Sequence, residues 1–289
     1  MRPARTADTT SAPSDLSRTV LPLAGRVVVV TGVSRRAGIG HAIACRAAAW
    51  GASVVAHHFC VHDAAQPWGA DSVDSVMDSV RSHLTSGARL VSVGGDLTDD
   101  GAPEALLATA ASELGRVDGL VANQALSGSD GALGGLTAPM LDRHWAVNAR
   151  TSVLLVQAFM NARSQAAPSQ VPSGGPPSGS AVLMTSGQGL GPLRGEVAYA
   201  SAKAALAGVT PTLADQLADH GIRLNTVNPG PVDTGYADGT TLAAVASMFP
   251  GGRWGEPDDP ARLVCWLLTD DARWVTGQVI SSEGGFRRA

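Results

Sequence analysis

Residues 26–31 read Arg-Val-Val-Val-Val-Thr, an apolar run without polar alternation, which suits a strand covered on both faces. Comparable β-branched runs recur at 52–57, 89–93, 117–122, 180–185, 222–227 and 278–281. Between them, Ala-rich stretches at 38–50, 71–86, 102–114, 138–163, 197–220 and 260–268 read as helices. Strands alternating with helices imply parallel pairing, because each return to the same edge needs a crossover. The pattern predicts a single α/β domain over residues 23–289. Its centre is a doubly wound parallel sheet of about seven strands, with helices on both faces.

Two stretches interrupt the alternation. Residues 165–179 (QAAPSQVPSGGPPSG) are rich in Pro, Ser and Gly and cannot build a core, so a mobile surface loop is expected there. Residues 234–257 follow the sixth strand and are Gly-rich. A substrate lid is expected at that place, since ligands bind beyond the carboxyl ends of such strands. Residues 1–22 lack the apolar segment of a secretory signal and read as a disordered tail. The alternative is an organelle transit peptide, favoured by Arg2, Arg5 and Arg18 among Ser and Thr and opposed by Asp8 and Asp15.

Composition narrows the function classes. With 44% hydrophobic and 16% charged residues the chain is globular, and a net charge of −4 offers no basic face for nucleic acid. No apolar run approaches the roughly 18–20 residues of a membrane helix. The three cysteines, Cys45, Cys60 and Cys265, are odd in number and scattered, which fits a reducing cytoplasm and not a disulfide framework.

Candidate chemistry begins at residues 31–40 (TGVSRRAGIG), a glycine-rich turn between the first strand and the first helix. Glycines there let the backbone approach a pyrophosphate, whose charge then sits at a helix N-terminus. The spacing differs from Gly-x-Gly-x-x-Gly, and the alternative is a structural turn without ligand. At the end of the second strand a carboxylate would select NAD, but the chain has Ala56-His57-His58-Phe59, and the first acid is Asp63. Arg35 and Arg36 could instead pair with a 2′-phosphate. NADP(H) is therefore the expected cofactor, with NAD(H) the alternative if both arginines are solvated loop charges. His57, His58, Cys60 and His62 supply metal-type donors without a second separated pair, so no metal is expected.

Tyr199 and Lys203 stand four apart in an expected helix and so share one face. An ammonium beside a phenol favours the phenolate and would bring it toward working range. Ser186, just past the fifth strand, could meet the same substrate oxygen.

Residues 31–40, Asp96, Asn148, Ser186, Tyr199, Lys203 and Asn228-Pro229-Gly230 resemble, in order and spacing, the short-chain dehydrogenase/reductase family. The resemblance runs from about Leu23 through Thr276-Gly277-Gln278 and Glu283-Gly284-Gly285. The longer glycine loop, Pro67-Trp68-Gly69 and Thr185-Ser186-Gly187-Gln188 resemble a bacterial subgroup described as 3-oxoacyl-(acyl-carrier-protein) reductase-like. The resemblance implies a Rossmann-type fold and ketone–alcohol interconversion by hydride transfer. Tyr199 would be the general acid or base, Lys203 would tune it and hold the nicotinamide ribose, and Ser186 would bind the substrate oxygen. Asn148 would support a relay water, its alternative being a backbone tie. Gly32, Gly38, Ile39 and Gly40 would line the pyrophosphate, and Asp96 would contact adenine unless it merely shapes a turn. Val232 and Thr234 would hold the carboxamide. Ser34, Arg35, Arg36, His57, Leu97, Asn123, Pro229 and Gly230 complete the implied cofactor site, and a homotetramer is the implied assembly.

The chain departs from the family at Ala122-Asn123-Gln124-Ala125, where Asn-Asn-Ala-Gly is usual, and at Pro211, expected to bend the helix that carries Tyr199. A reading from another class, a catalytically idle nucleotide-binding sensor or scaffold, is opposed by the intact Ser186, Tyr199 and Lys203 set.

Overall fold

The computed structural model describes residues 19–164, 179–237 and 239–287. Its seven-stranded sheet is parallel throughout, in the order β3-β2-β1-β4-β5-β6-β7. The strands are β1 (Val27–Val30), β2 (Ser53–His58), β3 (Leu90–Gly94), β4 (Gly119–Ala122), β5 (Gly179–Met184), β6 (Ile222–Asn228) and β7 (Val279–Ser281). All seven coincide with the apolar runs of the sequence to within a few residues. Strand order reverses between β1 and β4, which opens a crevice at their carboxyl ends.

Alternation along β1 shows how the layers form. Val28 and Val30 face one core with Ile43 and Ala47 of α1 (Ile39–Ala49), Val76 and Val80 of α3 (Val73–Arg81) and Val264 of α9 (Asp258–Leu267). Val27 and Val29 face the other, with Leu106 of α4 (Ala102–Leu114), Phe159 of α6 (Thr151–Ser164) and Leu206 of α7 (Val197–Ala218). The remaining helices are short: α2 (Cys60–Ala64), α5 (Ala138–His144) and α8 (Gly239–Ala246). The helix expected over 71–86 ends earlier, at Arg81, where Ser82 turns its hydroxyl back onto the Ser79 carbonyl.

Opposite the crevice, Asp118 joins three strands. Its Oδ2 accepts from Val27 N at 3.0 Å, its own N–H donates to Val27 O at 2.8 Å, and its carbonyl accepts from Ser180 N. Arg116 and Arg163 face the same carboxylate, which is 3% exposed.

The helix expected over 138–163 is continuous in space but not in type, because residues Trp145–Arg150 form a π-helix between α5 and α6. The cause is local. The Asn148 side chain leaves the helix to bond Leu126, accepting from its N at 2.8 Å and donating to its O at 3.0 Å. Hydroxyls compensate the loosened ladder: Thr151 Oγ1 donates to Ala146 O, and Ser152 Oγ to Asn148 O. Pro211 does not end α7, which runs on to Ala218.

Within the stretch expected to form a lid, residues 239–246 fold as α8, and Trp254 Nε1 donates to Leu242 O at 2.8 Å. The Pro/Ser/Gly loop lies outside the described residues except for Gly179, which belongs to β5, and most of the expected tail does too. Among the described residues no helix is long and apolar enough to cross a membrane.

Candidate active site

The crevice holds a cavity of about 350 Å³. Gly32, Ser34, Arg35, Gly38, Ile39, Gly40, His57, Asp96, Leu97, Asn123 and Thr234 line it, bringing together most of the expected cofactor residues. Gly32 has φ +72, a conformation that side chains disfavour. At Gly40 a Cβ would lie 2.4 Å from Gly32 O, so only glycine lets α1 start this close to the turn. Gly38 precedes the helix with no side-chain cap, leaving the first-turn N–H groups to face the cavity.

His57 supplies an orphaned polar atom. Its ring is 3% exposed, its Nε2 donates to Gly95 O at 3.0 Å, and Nδ1 has no partner among the described residues. The Gly95 bond selects the tautomer whose Nδ1 lone pair accepts. A glycine cradle, bare helix N–H groups and a buried free acceptor fit a dinucleotide, whose phosphates and hydroxyl groups would answer each of them. Burial pushes the His57 pKa down to about 4. The unfolded chain therefore binds the extra proton between about pH 4 and 6.5, and His57 makes stability fall as the medium is acidified through that window. His57→Asn should flatten this acid limb by about 1–3 kcal/mol, read as urea-unfolding free energy against pH. An unchanged limb would remove the assignment of a neutral buried ring.

The two loop arginines part company. The Arg35 guanidinium lies over the Trp68 ring at 5.4 Å, with Nε 3.3 Å from Asp63 Oδ1 and Nη2 donating to Thr234 O at 2.7 Å. Arg36 is exposed and outside the lining, its backbone N–H donating to Asp71. Asp96 shapes a turn, accepting from Thr98 N and Oγ1, and also lines the cavity. Pro229, Gly230 and Val232 are not part of the lining. Gly230, at φ +66, packs on Glu283, where a Cβ would come within 2.3 Å, while Val232 is buried in a bridge to Gly255. Gly230 and Val232 thereby fix the backbone course after β6.

The proton-transfer candidates Asn148, Ser186, Tyr199 and Lys203 are not among the residues that line this cavity. Tyr199 lies in the first turn of α7, and the Ser186 side chain that acts on its phenol stands just ahead of a short 3-10 turn after β5. Lys203, one helical turn on, is 2% exposed and donates from Nζ to Met184 O at 2.8 Å. The ammonium is 5.7 Å from the centre of the Tyr199 ring. Burial pushes the phenol up to about 12, the Ser186 side chain opposing it, and burial brings the ammonium down to about 8. Burial thus acts against the expected acidification of the phenol, while the Lys203 ammonium donates to Met184 O.

Asp130 and His144 escaped the sequence reading, and Gln124 and Asp63 were named there without a role at the site. Asp130 accepts from Ala198 N at 2.9 Å and Tyr199 N at 2.7 Å, seating the start of α7 from the loop after β4. Buried His144 meets the Tyr199 ring edge-on at 6.3 Å and contacts Gly128 O through Nε2. Gln124 lines the cavity and donates to Ser152 Oγ at 2.9 Å, while Asp63 pairs with Arg35. Gln124 left a signal as a polar side chain where small residues are usual, and Asp63 as the first acid after the second strand.

A doubly wound sheet with a glycine cradle at its switch point defines a dinucleotide-dependent oxidoreductase scaffold. The sequence profile described as Enoyl-(Acyl carrier protein) reductase matches residues 32–287. An uncharacterized oxidoreductase, YjdA of Bacillus subtilis, is 37% identical over 263 residues, 91% of this chain and 97% of its own length. The NADPH-dependent aldehyde reductase-like protein, chloroplastic, of Arabidopsis thaliana is 32% identical over 94% of this chain and 98% of its own. Among solved structures, the promiscuous reductase LugOII, described as catalysing keto-reduction during lugdunomycin biosynthesis, superimposes with TM-score 0.75 at 32% identity. It covers 91% of this chain and 98% of its own. The chain belongs to the short-chain dehydrogenase/reductase family, and is an oxidoreductase acting on CH–OH groups with NAD(P).

Proposed function

We propose that the protein interconverts a ketone and a secondary alcohol with NADP(H), Tyr199 serving as general acid in reduction and general base in oxidation. The observation that carries this reading is the buried Lys203, whose ammonium lies 5.7 Å from the centre of the Tyr199 ring, with Ser186 acting on the same phenol. The nicotinamide, when bound, supplies or accepts the hydride. Ser186 and Tyr199 present two hydroxyls to one substrate oxygen, fixing it and meeting the charge that develops there. Tyr199 gives that oxygen its proton; at neutral pH the phenol is protonated and the Lys203 ammonium beneath it is charged, as reduction requires. Asn148 holds the π-helix against Leu126, and its relay role is carried by the backbone course this tie imposes.

The 2′-phosphate preference is supported by Arg35 at the cavity wall and by the NADPH named for the Arabidopsis relative. Substrates are 3-oxoacyl thioesters or ketones of a specialised pathway, the latter in keeping with the keto-reduction named for LugOII. Trp274, 97% exposed, and the exposed Val279 on edge strand β7 support assembly into a homotetramer, working in the cytoplasm.

The test follows NADPH absorbance against a panel of ketones and acyl thioesters, with solution mass measured on the same sample. Steady oxidation with at least one ketone and a tetrameric mass are expected. Nucleotide binding without turnover on any carbonyl would favour an idle sensor, and a monomeric mass would remove the assembly.

A further inference from the structure

Arg35 reaches the cavity already in company. Its Nε faces Asp63 Oδ1 at 3.3 Å, with the two side chains only 14% and 16% exposed. The same Oδ1 accepts from Trp68 Nε1 at 3.2 Å, and the guanidinium lies across the Trp68 ring. Arg35 and Asp63 both line the cavity, near His57 at the end of β2. A cation that would meet a phosphate is thus shared with a carboxylate held in place by an indole N–H. Two anions competing for one guanidinium repel each other strongly where water is scarce.

We propose that Asp63 is a specificity-determining residue, which limits affinity for 2′-phosphorylated dinucleotides by competing for Arg35 and leaves 2′-hydroxyl dinucleotides little affected. The inference rests on the reading above that the cavity takes NADP(H) with its 2′-phosphate toward Arg35. It also goes against the ordinary sense of the pair, in which Asp63 would only hold Arg35 in position. Asp63→Asn separates the two senses, because the amide oxygen can still accept from Trp68 Nε1 and Arg35 Nε while the charge is gone.

The experiment is calorimetric titration of the full chain with NADPH, NADH and adenosine 2′,5′-bisphosphate. It compares the unmodified protein with Asp63→Asn, Arg35→Ala and the double variant. Asp63→Asn is expected to bind NADPH and the bisphosphate about fivefold more tightly, with NADH within about twofold. In the Arg35→Ala background the same change should do nothing, since the competition needs the guanidinium. Unchanged or weaker NADPH binding by Asp63→Asn would overturn the proposal and leave Asp63 a positioning group. Equal tightening of NADH would overturn it as well, exposing a general charge effect. If Arg35→Ala keeps full NADPH affinity, the assignment of the 2′-phosphate to Arg35 fails on its own, independently of what Asp63→Asn does.

Discussion

Tyr199→Phe is expected to lower turnover by about 10²–10⁴-fold, the usual contribution of a positioned acid–base group, while NADPH affinity stays within about threefold. Little else should change. The ring keeps its edge-on contact with His144, the backbone keeps its bonds to Asp130, and the deletion removes one hydroxyl. Such a loss costs about 1 kcal/mol of stability, too little to unfold the domain. Rate is read as NADPH oxidation with an active ketone, and affinity by titration without substrate. Turnover within tenfold of the unmodified enzyme would falsify the role of the phenol. Parallel loss of affinity would show instead that the substitution had disturbed the cavity.

The largest effect on stability is expected at the opposite end of the central strands. Asp118→Ala removes the carboxylate that accepts from Val27 N and faces Arg116 and Arg163, whose side chains are 18% and 7% exposed. Breaking a buried charge pair from one side costs about 3–5 kcal/mol, because the remaining cation is left desolvated. A buried N–H at the start of β1 also loses its partner, which adds to the penalty. Urea unfolding should show the midpoint falling with the slope unchanged. A change below about 1 kcal/mol would mean that the cluster is solvated and contributes as an ordinary surface pair.

Much of the site was legible because its chemistry depends on order along the chain. The glycine turn must follow the first strand, and Tyr199 and Lys203 must be one helical turn apart, so local spacing carried both. Asn148 was found by position, but its geometry was not: the π-helix around it exists because Leu126, 22 residues away, offers both a donor and an acceptor. Arg36 read the same as Arg35 in the sequence. Only the fold turned one guanidinium onto Trp68 and the other toward solvent. Burial of the phenol was not legible for a related reason, since four-residue spacing reports proximity but not desolvation.

By itself the sequence determined the strand and helix alternation, the single parallel sheet and the place of the nucleotide turn. These follow from short-range hydrophobic period and from glycine's freedom at positive φ, which neighbouring residues encode. Tertiary structure alone decided the charge environment: which arginine meets Asp63, which carboxylate seats α7, and how deeply Lys203 is buried. Those quantities depend on residues distant in the chain and on the exclusion of water, and neither is written in local order.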